Sequence, residues 1–381
     1  MAKLTDVCDI QYGYAFDSGY FTDNNAYPQL VRIRDVKRGF SETYYNGEYP
    51  EEYVLKSGDL LVGMDGEFNI ARWKVDGALL NQRVCKIVAR PDTDEEYLRF
   101  ILGKALKTIE DRTSFATVKH LSARELNKLE LDMPQYEEQV HRSTVLSKLE
   151  DVIEQRRNEL DKLDELIKAR FVEMFGDPEL NPKKWPIETL GDVLSVEPQN
   201  GLYKPQSDYV QDGTGIPILR IDAFYDGKVT DLSGLKRLNC TDTERSRYLL
   251  VENDIVINRV NSLEYLGKCA WITGLIEPTV FESNMMRFHV DESRINPCYI
   301  TRLLCSPFIY KQILNRAKKA VNQASINQRD VQNLKILIPP VELQKQYAAF
   351  VAQVDKSKAA VQKSLDETQL LFNSLMQKYF G

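Results

Sequence analysis

"INQRDVQNLKILIPPVELQ" occupies Ile326–Gln344, and a second stretch, "LSARELNKLELDMPQYEEQ", occupies Leu121–Gln139. Arg124 answers Arg329, Leu129 answers Leu334, Pro134 answers Pro339, Glu137 answers Glu342 and Gln139 answers Gln344, every pair 205 residues apart. The step holds to Gly381: Leu160 meets Leu365, Asp161 meets Asp366, Leu166 meets Leu371, and Phe175-Gly176 meets Phe380-Gly381. Upstream the register changes, and "LTDVCDI" (Leu4–Ile10) matches "LGDVLSV" (Leu190–Val196) at a step of 186.

Between those ends the copies agree in plan but not in length. "LVRIRD" (Leu30–Asp35) resembles "ILRIDA" (Ile218–Ala223), "SGDLLVG" (Ser57–Gly63) resembles "ENDIVIN" (Glu252–Asn258), and Trp73 lies where Trp271 lies. Two copies are too few for a solenoid, whose units bury their apolar faces only by stacking on several neighbours. The pattern implies two similar domains with pseudo-two-fold symmetry.

Within each half the apolar period changes. Short β-rich runs come first: "LVRI", "DLLVGM" and "RVCKIVA", then "PILRI", "DIVINRV" and "MMRFHV" in the second copy. Gly, Asn and Asp turn signals separate them. Helices are expected over Asp94–Glu110 and Asn296–Leu314. Each copy then reaches a proline and turns into a long helix. Leu146, Leu149, Ile153, Leu160, Leu163, Ile167 and Met174 follow the three-four spacing of a coiled-coil seam, interrupted at Arg156 and Arg170. Val351, Val354, Val361, Leu365, Phe372 and Tyr379 are the counterparts, interrupted at Lys358 and Thr368. At about 1.5 Å per residue, roughly 39 residues make a rod of about 58 Å. A rod with one apolar stripe needs a partner, and the chain supplies two such rods. "GDPELNPKKWP" (Gly176–Pro186), with three prolines, ends the first rod. The expected fold class is α+β: two β-rich mixed domains joined by two long antiparallel helices.

Length and composition agree. A chain of 381 residues accommodates two domains with their own cores, and 43% hydrophobic with 28% charged residues is a soluble globular composition. No apolar run approaches the ~18 residues of a membrane span. The first residues, "MAKLTDVCDIQYGYAF", lack a signal-peptide apolar core, so a cytoplasmic location is expected. Six scattered cysteines without a CxxC pair point to a reduced protein. A net charge of −6 argues against a uniformly basic coat, though it leaves room for local basic grooves.

Catalytic motifs are missing. "DGTGIP" (Asp212–Pro217) lacks the third glycine of a dinucleotide fingerprint, and no phosphate loop, HExxH or GxSxG occurs. His120, His141 and His289 have no metal-ligand spacing. "PDTDEEY" (Pro91–Tyr97) reads as an acidic turn and helix start, since no strand bearing Glu-x-Lys follows it. What remains suits groove reading. Arg32, Arg34, Lys37 and Arg38 cluster in the first copy, followed by Arg72, Lys74 and Arg83. The second copy offers Lys204, Arg220, Arg259 and Lys268, then "RAKKAVNQASINQR" (Arg316–Arg329) with Lys318, Lys319, Asn322, Gln323, Asn327 and Gln328. Arginine can bridge guanine O6 and N7, Asn and Gln can pair with adenine, and lysine neutralises phosphate. A polar loop of solvated charges is the plainer reading of any one stretch; their recurrence in both copies favours the first.

The order of parts resembles the specificity subunit of type I restriction-modification enzymes over essentially the whole chain. It runs domain, "RELNKLELDMPQYEEQ", long helix ending "FVEMFGDPELNPKKWP", second domain, "RDVQNLKILIPPVELQ", long helix ending "YFG". The first copy departs from the family's proline pair, having Met133-Pro134-Gln135. The resemblance implies a target recognition domain over 1–136, a long helix over 137–176, a linker and second target recognition domain over 177–341, and a long helix over 342–381. It implies that each domain reads half of a split site in double-stranded DNA, while the helices form a spacer and dock two methyltransferase subunits. Catalysis then lies on partners: adenine methylation with S-adenosylmethionine, and ATP- and Mg-dependent translocation and cleavage by restriction subunits. No cofactor and no membrane contact are expected for this chain. The alternatives are a coiled-coil adaptor that does not touch DNA and an enzyme with an unrecognised site.

Overall fold

The repeated motif folds the same way both times. The structure, a computed structural model, describes residues 1–112, 120–321 and 323–381. Ser122 Oγ accepts the Glu125 backbone N–H while the Glu125 carboxylate accepts the Ser122 N–H, and Asn327 with Asp330 repeats this reciprocal cap. Each cap starts one short helix, Ala123–Asn127 or Gln328–Gln332. A short strand follows and pairs with the strand that opens its own copy: Glu130–Leu131 with Ala2–Lys3, and Lys335–Leu337 with Ile187–Thr189.

The shared glutamine explains itself next. Gln139 is buried; its amide donates to the Pro134 carbonyl and its oxygen accepts the Asp94 N–H. Gln344 does the same with the Pro339 carbonyl and the Asn296 N–H. Asp94 and Asn296 in turn accept N–H groups of the helical turns that follow them. One buried side chain thus ties the start of each long helix to the start of its domain's helix. Tyr97 and Tyr299 close the same joint, donating to the Asp132 and Leu337 carbonyls at 3.0 Å each.

The chain forms two compact units, Met1–Glu159 with Val361–Gly381, and Leu160–Ala360. The long helices, Tyr136–Phe175 and Val341–Phe380, are each shared between them. The division between the units falls within both helices.

In the first unit, β1 (Cys8–Tyr12), β2 (Leu60–Gly63), β3 (Asn69–Arg72) and β4 (Val84–Ala89) form an antiparallel sheet in the order β1-β4-β2-β3. Helix α1 (Glu95–Arg112) lays Tyr97, Leu98, Ile101 and Leu102 onto Leu60, Val62, Cys85 and Ile87. These four positions recur at helical spacing, so one face of α1 is the core face. The start of α2 (Tyr136–Phe175) meets the end of the last long helix: the Arg142 guanidinium lies 5.2 Å over the Tyr379 ring. Phe380 packs on Tyr97 at 5.3 Å between ring centroids.

The second unit has a six-stranded sheet built from β5 (Leu194–Asn200), β6 (Phe224–Tyr225), β7 (Gly227–Val229), β8 (Ile255–Asn258), β9 (Cys269–Trp271) and β10 (Met285–Val290). Its order is β5-β10-β8-β9-β7-β6. The first four strands repeat the antiparallel sheet of the first unit; β7 then joins β9 in parallel. The parallel pair Leu30–Val31 with Leu79–Leu80 recurs as Ile218–Leu219 with Val280–Phe281. The single helix expected over Asn296–Leu314 is two, α3 (Pro297–Leu304) and α4 (Pro307–Arg316). Pro307 has no N–H to continue the ladder and keeps Ser306 out of helical geometry, while the Ser306 hydroxyl accepts the Ile309 N–H and starts a new helix.

Here the end of α2 meets the start of α5 (Val341–Phe380): Ile167, Phe171, Met174 and Phe175 share a core with Tyr347, Val351 and Val354. Phe175 lies 4.6 Å from the Tyr299 ring, as Phe380 lies against Tyr97. The helices run antiparallel in both units, and two of the four expected interruptions of the seam, Lys358 and Arg170, reach the facing helix. Lys358 pairs with Asp164, and the Arg170 guanidinium lies 5.5 Å over Phe350. Gly176, with φ 81°, ends α2; Lys183 then donates to the Glu173 and Met174 carbonyls and the Trp185 indole to that of Phe175. Among the described residues no helix is long and apolar enough to cross a membrane.

Candidate nucleic-acid interface

At one end of each sheet the strand connections build a rim, held by the same backbone bonds in both units. Gly13 N–H donates to the Val84 carbonyl and Gly201 to that of Met285; Tyr14 donates to Leu80 and Leu202 to Phe281. Gln82 donates to Tyr14 and Ser283 to Leu202; Met64 donates to Arg83 and Arg259 to Asn284; Leu121 donates to Met64 and Ile326 to Arg259. Glycine is needed at the tightest point of each. A β-carbon on Gly13 would lie 2.0 Å from the Asn81 carbonyl oxygen, and one on Gly201 2.2 Å from that of Glu282.

The side chains on this common backbone differ. Asp65 stands opposite His120 in the first unit, where Val260 stands opposite Ser325 in the second. Met64 is replaced by Arg259, Asn81 by Glu282, Gln82 by Ser283 and Arg83 by Asn284. Equal backbone with unequal chemistry is what two readers of different sequences need.

Several of the basic residues singled out from sequence border these rims. Arg32, Arg34, Lys37 and Arg38 share one loop, whose Ile33 side chain lies against Gly63 at the rim end of β2. Arg32 is exposed and, among the described residues, forms no ion pair. Arg34 lies 3.7 Å from Asp35, Lys37 bonds Glu67 at 2.7 Å, and Arg38 lies 3.4 Å from Glu42. Arg83 is on the rim itself. In the second unit Arg259 is on the rim, its guanidinium donating to the Ser283 carbonyl at 3.0 Å. Lys268, next to it through the Asn258 backbone, sits 3.9 Å over the Tyr265 ring. Lys318 and Lys319 are exposed on a strand that pairs through Ala324–Ser325 to Val260–Asn261, with Gln323 exposed beside them. Asn322 lies outside the described residues.

Three nominated cations are occupied inside their units. Arg72 is at the far end of β3 from the rim, held by Glu95 at 2.7 Å and by Glu96. Lys204 is largely covered and paired with Glu244 at 3.0 Å and Asp208 at 3.3 Å. Arg220 lies 3.4 Å from Glu282, whose side chain is only 8% exposed, and donates to the Tyr209 hydroxyl. Burial pushes the Glu282 carboxyl above the ordinary range, with the Ile221 N–H and Arg220 pulling it back. Removing Arg220 is therefore expected to cost stability, on the order of 1–3 kcal/mol, by leaving a nearly buried carboxylate without its charged partner. The pH dependence has a definite sign. A carboxyl raised in the folded state binds its proton more tightly there than in the unfolded chain, so stability falls as pH climbs through that raised value. Arg220→Ala raises it further, and the loss in melting temperature should be larger at pH 8 than at pH 5. Equal losses at both pH values would show that the pair does not carry the effect.

The rim residues Tyr14, Asp65, Gln82, Ser283 and Asn284 were not singled out from sequence, and His120 was read there only as a histidine without metal-ligand spacing. The usable signal was the shared Gln-x-Gly of Gln11–Gly13 and Gln199–Gly201, which marks the same turn in both copies. Among the described residues no group of three or more His, Cys, Asp or Glu is placed to hold a metal ion.

The family model described as "Type I restriction modification DNA specificity domain" matches twice, over residues 1–164 and 182–368. The specificity subunit of type I restriction enzyme EcoBI from Escherichia coli is 28% identical over 402 residues, covering 98% of this chain and 83% of that one. The putative MjaX specificity subunit of Methanocaldococcus jannaschii is 33% identical over 202 residues, 52% of this chain and 46% of its own. The crystal structure of the type I restriction-modification S subunit from M. genitalium has the same fold, with a TM-score of 0.62 at 14% identity over 100% of this chain and 95% of that one. Two matching units that share both long helices define a two-copy specificity protein. The chain belongs to the type I restriction-modification DNA specificity family.

Proposed function

We propose that the chain is the DNA sequence-specificity subunit of a type I restriction-modification system, each unit reading one half of a split, asymmetric site in double-stranded DNA. The observation that carries this reading is the pair of rims, alike in backbone and unlike in side chains. A chain with two units alike in plan and two different reading faces suits a two-part, non-palindromic site. Helices α2 and α5 set the separation of the half-sites, and their equivalent surfaces dock two methyltransferase subunits, through which restriction subunits join. The chain itself is not catalytic. S-adenosylmethionine, ATP and Mg act on the partner subunits, and the assembly works in the cytoplasm. Base contacts fall to Arg32, Arg83, Arg259 and Gln323, and phosphate contacts to Arg34, Lys37, Arg38, Lys268, Lys318 and Lys319.

The test is a gel shift of the chain with its methyltransferase partner on a library of random DNA sites. Enrichment of one split motif is expected. Binding without sequence preference would overturn the reading. A complex whose binding survives charge reversal at both Arg32 and Arg259 would favour an adaptor that does not touch DNA through these units.

A further inference from the structure

The first unit's rim carries a side-chain arrangement that the second lacks. Arg83, at the turn into β4, has φ 71°, a left-handed conformation that glycine or asparagine adopts with less strain. Strained residues persist where the surroundings over-determine them, and they concentrate at functional sites. The surroundings here are specific. Asp65 Oδ2 lies 3.5 Å from Arg83 Nε, and Arg83 Nη1 lies 3.1 Å and 3.3 Å from the two ring nitrogens of His120. The His120 Nδ1 bonds Asp65 Oδ1, and the two residues also face each other across a backbone bridge. Asp65 thus holds both members of an Arg–His pair.

This triad is not a buried structural pair. The Arg83 side chain is 51% exposed and that of His120 47%. Among the described residues nothing bonds Arg83 Nη2, so guanidinium donors remain free for an outside acceptor. The counterparts in the second unit, Val260, Asn284 and Ser325, carry no charge. A guanidinium aimed in advance loses less freedom on binding than a loose one, and its planar fork matches guanine O6 and N7.

We propose that Arg83 is a base-reading residue of the first unit, selective for a guanine, and that Asp65 and His120 are positioning residues that aim it. The proposal rests on the DNA-specificity reading above. It is tested on the complex with the methyltransferase partner, by selection from a random-site library and by affinity for single-base variants of the selected site. Arg83→Gly suits the test because glycine takes φ 71° without strain, so the variant should melt no lower than the parent. It is expected to lose preference for one guanine in one half-site, a discrimination of roughly 5- to 150-fold, with the other half-site unchanged. Asp65→Asn should relax the same position by a smaller factor. A purely structural role for Asp65 would instead weaken every sequence alike. A parent complex that selects no motif would fail the underlying reading. If the parent does select a motif, an even loss of affinity in Arg83→Gly makes Arg83 a phosphate contact and overturns the proposal. An unchanged preference in Asp65→Asn overturns the positioning role.

Discussion

Four residues inserted after Gln155 together with four after Ala360 are expected to leave both half-sites unchanged and to lengthen the unread spacer between them by one or two base pairs. Both points lie in exposed helix, at or within a few residues of where each long helix passes from one unit to the other. The insertions therefore spare both cores. Four residues add roughly 6 Å of helix, against about 3.4 Å per base pair of DNA. They also turn the helix about 400°, some 40° beyond a full turn, so the apolar stripe is displaced little and the insertion acts as a local stutter. The helices must change together. They are antiparallel within each unit, as Asp164 with Lys358 and Arg142 with Tyr379 show, so lengthening one alone leaves seam residues such as Ile153 and Val361 facing the wrong neighbours. Methylome sequencing of cells carrying the double insertion measures the outcome. A folded, active variant that still methylated only the original spacing would show that the helices are not the ruler, and single insertions are expected to lose activity.

The long helices and the repeat were legible because they rest on period and spacing, which survive divergence. Leu146, Ile153, Ile167, Val351 and Val361 are buried where the three-four pattern puts them. Phe171, Phe175 and Tyr347 were not assigned to the seam, yet they form an aromatic cluster in the second unit, with Phe171 and Phe175 each lying against both Tyr347 and Tyr299. Aromatic residues near helix ends can pack sideways onto a domain, and period alone does not separate that from helix pairing. The sheets' first strands, β1 and β5, were not read as strands: "CDIQY" alternates but is only five residues long and mostly half-buried, and "LSVEPQN" alternates only as far as Glu197, before Pro198. The roles of Gln139 and Gln344 depend on bonds to residues 45 and 48 positions away, which no local pattern reveals. The same limit governed the site. Charge nominated Arg72 and Arg220 as readily as Arg32, and only the fold brings Glu96 or Glu282 to the first two, while the third has no ion pair among the described residues. His120 and Asp65 are 55 residues apart, so a lone histidine with no spacing to argue from could not be joined to Arg83.

Exchanging Lys3–Ala116 for the corresponding segment of another specificity subunit should replace one half of the recognised motif with the donor's and leave the other half intact. The segment carries the first unit's sheet, α1, the basic loop from Arg32 to Arg38 and the rim residues Tyr14, Asp65, Gln82 and Arg83, and no part of the second unit. What stays behind begins at Thr117 and includes His120 and the repeated motif from Leu121 onward. Its polar side-chain contacts with the exchanged segment ask for a few matches in the donor sequence: Gln139 needs a backbone N–H in place of that of Asp94, the Asp132 carbonyl a tyrosine hydroxyl in place of that of Tyr97, and Asn127 a donor in place of the Tyr12 hydroxyl. Leu121, Leu126 and Leu131 must still be buried against the foreign core, and cores accept hydrophobic substitution when volume and pattern are kept. The chimera should therefore fold, pair with the same methyltransferase subunits through unchanged helices and keep its spacer length, because α2 and α5 are untouched. His120 remains from the host, so a donor arginine at the place of Arg83 loses or keeps its aiming partner according to the donor's own rim. A second chimera carried through His120 should then read the donor half-site more strictly than the first. Methylome sequencing of both distinguishes the outcomes, and a swap that altered both halves of the motif would show that the two units do not read independently.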